Sequence, residues 1–211
     1  LVGFANTNYM KKKEGPMKKT FAMLVLGIAS LAMAASTAFA QNSMSGNSMA
    51  GNNPMVGGAA MFRTKDIIDN AVNSADHTTL VAAVKAAGLV ETLKTPGPFT
   101  VFAPTNYAFA KLPAGTVEML VAPENKATLT KILTYHVLAG RFDAKAIAAQ
   151  IKKGGGQAQL KTVSGGKLTA FMQGNDLILR DEKGGTSRVT IANVYQSNGV
   201  IHVIDTVVMP N

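Results

Sequence analysis

Apolar residues along this 211-residue chain follow three patterns in turn, and their order outlines the fold. An apolar run over residues 21–33 comes first. From Thr64 the period is helical: Ile67, Ile68, Ala71 and Val72 share one face of a helix predicted over 64–72, with Thr64 as its cap. A second helix is predicted over 78–88, where Thr78 caps, Leu80, Val81, Val84 and Ala87 form the buried stripe, and Gly88 supplies a left-handed stop. Two more follow at about 123–138, with Pro123 in the first turn, and at about 144–153, ending in three glycines. From Gln157 the period changes to 2. Strands are predicted over 157–163, 167–172, 176–180, 188–195 and 200–209, each bounded by turn residues, and an earlier one over 99–102. Gly174-Asn175 is short enough for a tight hairpin. Helices segregated from strands in sequence make an α+β domain, and no internal repeat is present.

The apolar run has its own meaning. Met17-Lys18-Lys19-Thr20 is a short positive region ahead of it, and Ala38-Phe39-Ala40 followed by Gln41 is a small-residue cleavage site with a polar switch. Residues 17–40 are therefore expected to be a secretory signal peptide cut after Ala40, leaving no membrane span, with 1–16 an upstream leader of no assigned role. Residues 41–61 are rich in Ser, Asn, Gly and Met and read as a flexible tether, ahead of a single folded domain over 62–211.

Charge changes once the leader is set apart. The net +9 includes five lysines and one glutamate in residues 1–40, so the remainder carries +5 with its lysines scattered. Phosphate-backbone binding needs a basic stripe interleaved with aromatics, so nucleic acid is not an expected partner. With no cysteine, these residues hold no disulfide, thiolate zinc site, iron–sulfur cluster or thiol nucleophile. Met44, Met49, Met55 and Met61 recur every five or six residues, and thioethers in an exported protein suit Cu(I); the rival reading is a compositionally biased linker. His77, His136 and His202 are the only side chains that titrate near neutrality. None lies in an H-x-x-x-H pair, and there is no G-x-S-x-G elbow or phosphate loop. No catalytic residue, cofactor or metal site is expected, and His136 and His202 read as buried structural histidines.

Around the strand over 99–102, Pro104 ends the ladder, and Thr105 or Asn106 caps a helix that carries Phe109 and Leu112 inward. The last strand, Val200-Ile201-His202-Val203-Ile204, is almost continuously apolar, as for a strand covered on both faces, and His202 and Asp205 stand out in and beside it. Three segments resemble the signatures of the fasciclin domain: residues 97–109 from Gly97-Pro98-Phe99 to Ala108-Phe109, the central Leu133-Thr134-Tyr135-His136-Val137-Leu138, and the closing Asn198-Gly199-Val200 to Met209-Pro210. They occur in the family's order, so the resemblance covers residues 62–210.

The resemblance implies a wedge-shaped antiparallel β-sandwich packed against a layer of helices. It also implies a non-enzymatic role in cell adhesion or matrix interactions, in a secreted, periplasmic or cell-surface location. The partner would be a protein or glycan of the cell envelope or extracellular matrix; the alternative is a periplasmic small-ligand or copper-binding protein using the Met-bearing tether. Phe102, Pro104, Thr105, Asn106, Phe109, His202 and Asp205 are expected to be mainly structural. Tyr135 and His136 correspond to a region implicated in receptor binding in some animal fasciclin domains. Adjacent on a helix, they point about 100° apart, so one is expected to be anchored and the other reachable. Tyr107 stands where the family often has an acidic or small residue, which puts an aromatic ring beside the first signature. These three are the candidate interaction residues. Oligomeric state is not legible.

Overall fold

Strand β9, Gly199–Ile204, has all six residues buried and organises the rest of the domain. The computed structural model describes residues 53–211; the leader, the signal peptide and most of the expected tether lie outside the described residues. β9 is flanked by β3, Phe99–Pro104, and by β8, Thr186–Gln196. β4 (Val137–Ala139), β5 (Gln157–Lys161), β6 (Lys167–Gln173) and β7 (Asp176–Arg180) complete a seven-stranded sheet in the order β4-β3-β9-β8-β7-β6-β5. The α+β architecture is as expected, with one correction. β3 and β9 run parallel, so the sheet is mixed rather than antiparallel. Antiparallel neighbours suit short hairpin links, whereas these two strands are joined through most of the domain, which frees their direction.

The long strand β8 shifts register against β9 twice, between Val189 and Ile191 and again between Ile191 and Val194, with Asn193 at φ 62°. Bulges of this kind bend a strand and strengthen its twist. The sheet accordingly curls on itself: Phe102 of β3 and Ile204 of β9 share a core with Leu160, Leu168 and Leu179 of the far strands. Helix α7, Ala144–Lys153, closes that core with Ile147 and Ile151, its first turn capped by the Asp143 carboxylate. The two-residue Gly174-Asn175 link joins Gln173 to Asp176 as a tight hairpin, with Gly174 at φ 60°.

The opposite faces of β3 and β9 present Val101, Ala103, Ile201 and Val203 to a second core. It is covered by the helical layer: α1 (Ile67–Ala71), α2 (Thr78–Ala87), α3 (Val90–Lys94), α4 (Asn106–Ala110), α5 (Thr116–Val121) and α6 (Lys126–Tyr135). Gly88 does end α2 in the left-handed conformation, at φ 74°. The cap of α1 is Asp66, not Thr64: its carboxylate accepts from the Asp69 amide at 2.8 Å and pairs with Lys94 at 3.0 Å. The expected helix over 123–138 stops at Tyr135, because the next residues leave it to pair with β3, Val101 opposite Val137 and Phe99 opposite Ala139.

The domain also starts earlier than residue 62. Met55–Val56 (β1) and Ala59–Ala60 (β2) form a small hairpin through Gly57-Gly58, and the Gly57 carbonyl accepts the Ala75 amide at 3.1 Å. Val56 and Met61 are buried in the helical core. The end of the expected tether is thus folded, since two apolar side chains supply the buried area that its Ser/Asn/Gly-rich part lacks.

Candidate interaction site

The corner between β3 and α4 carries the first signature, and its polar residues are consumed by backbone. Thr105 caps α4, its hydroxyl accepting from the Ala108 amide at 3.2 Å. Asn106 reaches across to another helix. Its Oδ1 accepts from the Thr79 amide at 3.0 Å and the Thr78 hydroxyl at 3.2 Å, while Nδ2 donates to the Ala75 carbonyl at 2.8 Å. The residue preceding α2, His77, provides no side-chain cap, so Asn106 satisfies one orphan amide, that of Thr79, which local sequence leaves open. Asn106→Ala is expected to lower stability by about 1–2 kcal/mol, measured by urea denaturation. Phe109 and Ala108 point into the core.

Tyr107 faces the other way and is 69% exposed. Lys111, one turn on, places its Nζ 5.0 Å from the ring centroid and 3.0 Å from the Thr206 hydroxyl. Asp205 lies 3.8 Å from the same ammonium. Burial by itself would raise the Asp205 carboxyl, but the Arg188 amide, the Thr206 hydroxyl and the charges of Lys111 and Arg188 outweigh it and hold the pKa below its ordinary value. The closing signature therefore fixes the lysine that flanks the exposed ring of the first signature.

The Tyr-His pair is placed otherwise than expected. Neither ring reaches solvent: Tyr135 is 0% exposed and His136 3%. Tyr135 is the last residue of its helix and packs in the core with Leu160 and Leu168, while His136, just beyond it, is enclosed against the backbone of residues 132 and 208. The Tyr135 hydroxyl donates to the Lys167 carbonyl at 2.7 Å and accepts from the Glu182 amide at 3.2 Å, and burial pushes its pKa up to about 12. His136 donates from Nδ1 to the Ile132 carbonyl at 2.8 Å and accepts the Val208 amide on Nε2 at 3.2 Å. Burial lowers its pKa to about 4, leaving the ring neutral.

His202 is likewise enclosed. Its ring stacks on Phe102 with centroids 5.6 Å apart; Nε2 donates to the Phe142 carbonyl at 2.9 Å, and Nδ1 faces the Asn193 amide at 3.4 Å. His77, expected in a turn, is a buried residue of a one-turn 3-10 helix, Ala75–His77. Its Nδ1 meets the Ser74 hydroxyl at 2.9 Å; its buried Nε2 makes no hydrogen bond of ordinary geometry, although the Ala103 backbone lies close enough to favour the protonated ring. Burial depresses both pKa values. Among the described residues, no three His, Asp or Glu side chains converge as metal ligands would. Acid–base catalysis requires a titratable group within reach of a substrate, and both nitrogens of His136 and His202 face protein groups.

Two residues escaped sequence reading. Asn198 looks like a turn residue, yet its buried side chain joins three segments: Oδ1 accepts from the Ile67 amide at 3.1 Å, and Nδ2 donates to the Leu93 and Thr95 carbonyls at 2.7 and 3.0 Å. Arg63 lies with its guanidinium 4.9 Å from the Tyr195 ring centroid, a long-range cation–aromatic contact with no local signal.

This fold and these engaged polar groups define a class: an α+β domain whose signature motifs fix its backbone and leave a small aromatic–cation surface outside. The fasciclin domain model matches residues 75–210, and the chain belongs to that family. It is 48% identical over 158 residues to Protein sll1483 of Synechocystis, covering 74% of this chain and 79% of that one. It is 35% identical over 210 residues to immunogenic protein MPB70 of Mycobacterium bovis, covering 95% of this chain and 99% of that one. Among solved structures, a FAS1 domain pair from the insect cell adhesion molecule fasciclin I shares the fold. The TM-score is 0.60 at 17% identity, over 67% of this chain and 50% of that one.

Proposed function

We propose that this chain is an exported, non-enzymatic interaction domain that contacts a protein or glycan of the cell envelope or extracellular matrix. The observation that carries this reading is Tyr107. Its neighbours Thr105, Asn106, Ala108 and Phe109 all serve the fold, whereas its ring is exposed beside a lysine held in place by Asp205 and Thr206. An amphipathic aromatic anchored next to a cation gives contact area at low entropy cost, which suits a recognition surface. The buried Tyr135 and His136 serve the fold through backbone hydrogen bonds. Export rests on the signal-like segment over 17–40, and none of the described helices is long and apolar enough to cross a membrane. Tyr107→Ala is expected to leave stability within about 0.5 kcal/mol of the parent. Binding to isolated envelope and matrix fractions, measured by surface plasmon resonance, should weaken by about tenfold or more. Unchanged binding would remove the proposed surface.

A second reading, Cu(I) binding through the Met-bearing segment, is favoured by one observation. Met61 and His77, whose Nε2 makes no hydrogen bond of ordinary geometry, line the same cavity of about 20 Å³. Thioether and neutral imidazole are soft ligands suited to Cu(I). Competition titration against a chromogenic Cu(I) chelator should show lower affinity in Met61→Leu, which keeps the core volume. Equal affinity in parent and variant rules this site out.

A further inference from the structure

Between the helical layer and the sheet lies a cleft of about 80 Å³. Ile68 and Ala71 of α1, Val81 and Val84 of α2, Leu93 of α3 and Val137 of β4 contribute to its apolar walls. Val81 belongs to the helical stripe that the sequence pattern predicts as buried, yet it is only half-buried, because the cleft lies where a packing partner would be. Polar chemistry is confined to a few positions. His136 lines the cleft with both nitrogens already engaged, and the Thr134 hydroxyl donates to the Thr130 carbonyl at 2.7 Å. Lys85 is the one ionised residue in the lining, it is exposed, and among the described residues it has no carboxylate within salt-bridge distance. Among the described residues, no Asp or Glu lines the cleft.

We propose that this cleft binds a free single-chain carboxylate, a fatty acid, with its tail against the apolar walls and its carboxylate on the Lys85 ammonium. An apolar cavity of about 150 Å³ holds one benzene, so the space here takes the end of a single chain and not a pair of chains. Lys85 borders the cleft with its alkyl stem and carries its ammonium at the exposed edge, so an apolar wall has one charged group at its mouth, a composition that suits a small ligand. The sign of that group selects an anion, and a positive head would meet Lys85 unfavourably. Tyr107 is not among the lining residues, so the cleft and the interaction surface stand or fall separately.

The test is isothermal titration of the full chain with dodecanoate, dodecanol, dodecyltrimethylammonium and acetate, all below their aggregation thresholds. One dodecanoate should bind per chain; acetate and the ammonium should not. Lys85→Glu should weaken dodecanoate by about tenfold, the loss of one charge-assisted contact, and leave dodecanol unchanged. Val81→Trp should block the cleft and abolish binding of both chains. Ala71→Leu narrows it from α1 and should do the same, which keeps the test intact if the tryptophan variant fails to fold. Absence of dodecanoate binding, or binding indifferent to the filling variants, overturns the proposal. So does selective capture by phosphatidylglycerol vesicles without binding of free dodecanoate, since the occupant would then be a membrane surface.

Discussion

Asn198→Ala should destabilise the domain by about 3 kcal/mol, the net worth of three buried hydrogen bonds plus the penalty on the groups left behind. Its side chain ties the start of α1 and the end of α3 to the turn before β9. On truncation the Thr95 carbonyl, on an exposed residue, can turn to water, but the Ile67 amide and the Leu93 carbonyl belong to buried residues and stay dry. Asn198→Asp should retain the bond to Ile67 and still lose both donations from Nδ2. Guanidinium denaturation should show the midpoint falling at unchanged slope. A loss below about 1 kcal/mol would mean that these three segments are held together by apolar packing alone.

Acid should remove a comparable amount of stability well above the ordinary carboxylate range. An unfolded histidine binds its proton near pH 6.5, whereas folded His136 resists until about pH 4, because burial disfavours the charge. The sign follows from proton counting: between these values the unfolded chain holds more protons than the folded one, so stability falls as the pH falls. The stabilisation is complete above about pH 6.5 and lost toward pH 4, an effect of about 3 kcal/mol for this residue. His77 and His202 are displaced in the same direction and add to it. Protonating His136 also forfeits the bond that Nε2 accepts from Val208, which anchors the closing segment. Urea midpoints recorded from pH 7.5 to 4.5 should decline steadily, and the His136 ring protons should show no titration above about pH 5 by NMR. A flat stability profile over this window would contradict the neutral, enclosed imidazoles.

What the sequence made legible was whatever depends on local pattern. The apolar run of Gly199–Ile204, interrupted only by His202, announced a strand covered on both faces, Gly88 announced the end of α2, and Gly174-Asn175 announced a hairpin. What depends on distant partners was not visible. β4 has three residues, continues a helical pattern without a glycine or proline to interrupt it, and exists only because β3 offers it a ladder. The direction of β3 against β9 is a tertiary choice of the same kind. Asp66 and Thr64 are both good caps, and only the amide of Asp69 and the ammonium of Lys94 decide between them.

The site was readable to the same degree. Thr105 and Asn106 were identifiable as backbone-satisfying residues, although the helix that Asn106 caps lies 27 positions away along the chain. Tyr135 and His136 lie at the end of α6, where protein encloses both, so neither is the reachable member that helical spacing predicts. Tyr107, singled out as an unusual aromatic in the motif, is the member of the three that reaches the surface.

The central claim is that recognition uses the surface at Tyr107 while the Tyr-His pair serves the fold, and a paired comparison tests it most directly. Full chains carrying Tyr107→Ala or Tyr135→Phe can be compared with the parent for affinity to immobilised envelope and matrix fractions, with thermal denaturation followed in parallel. Tyr135→Phe keeps the ring and removes two hydrogen bonds, so it should lower stability by about 1–2 kcal/mol and leave affinity unchanged. Tyr107→Ala should leave stability unchanged and lower affinity by about tenfold or more. The reverse outcome, affinity lost in folded Tyr135→Phe and kept in Tyr107→Ala, would contradict the account.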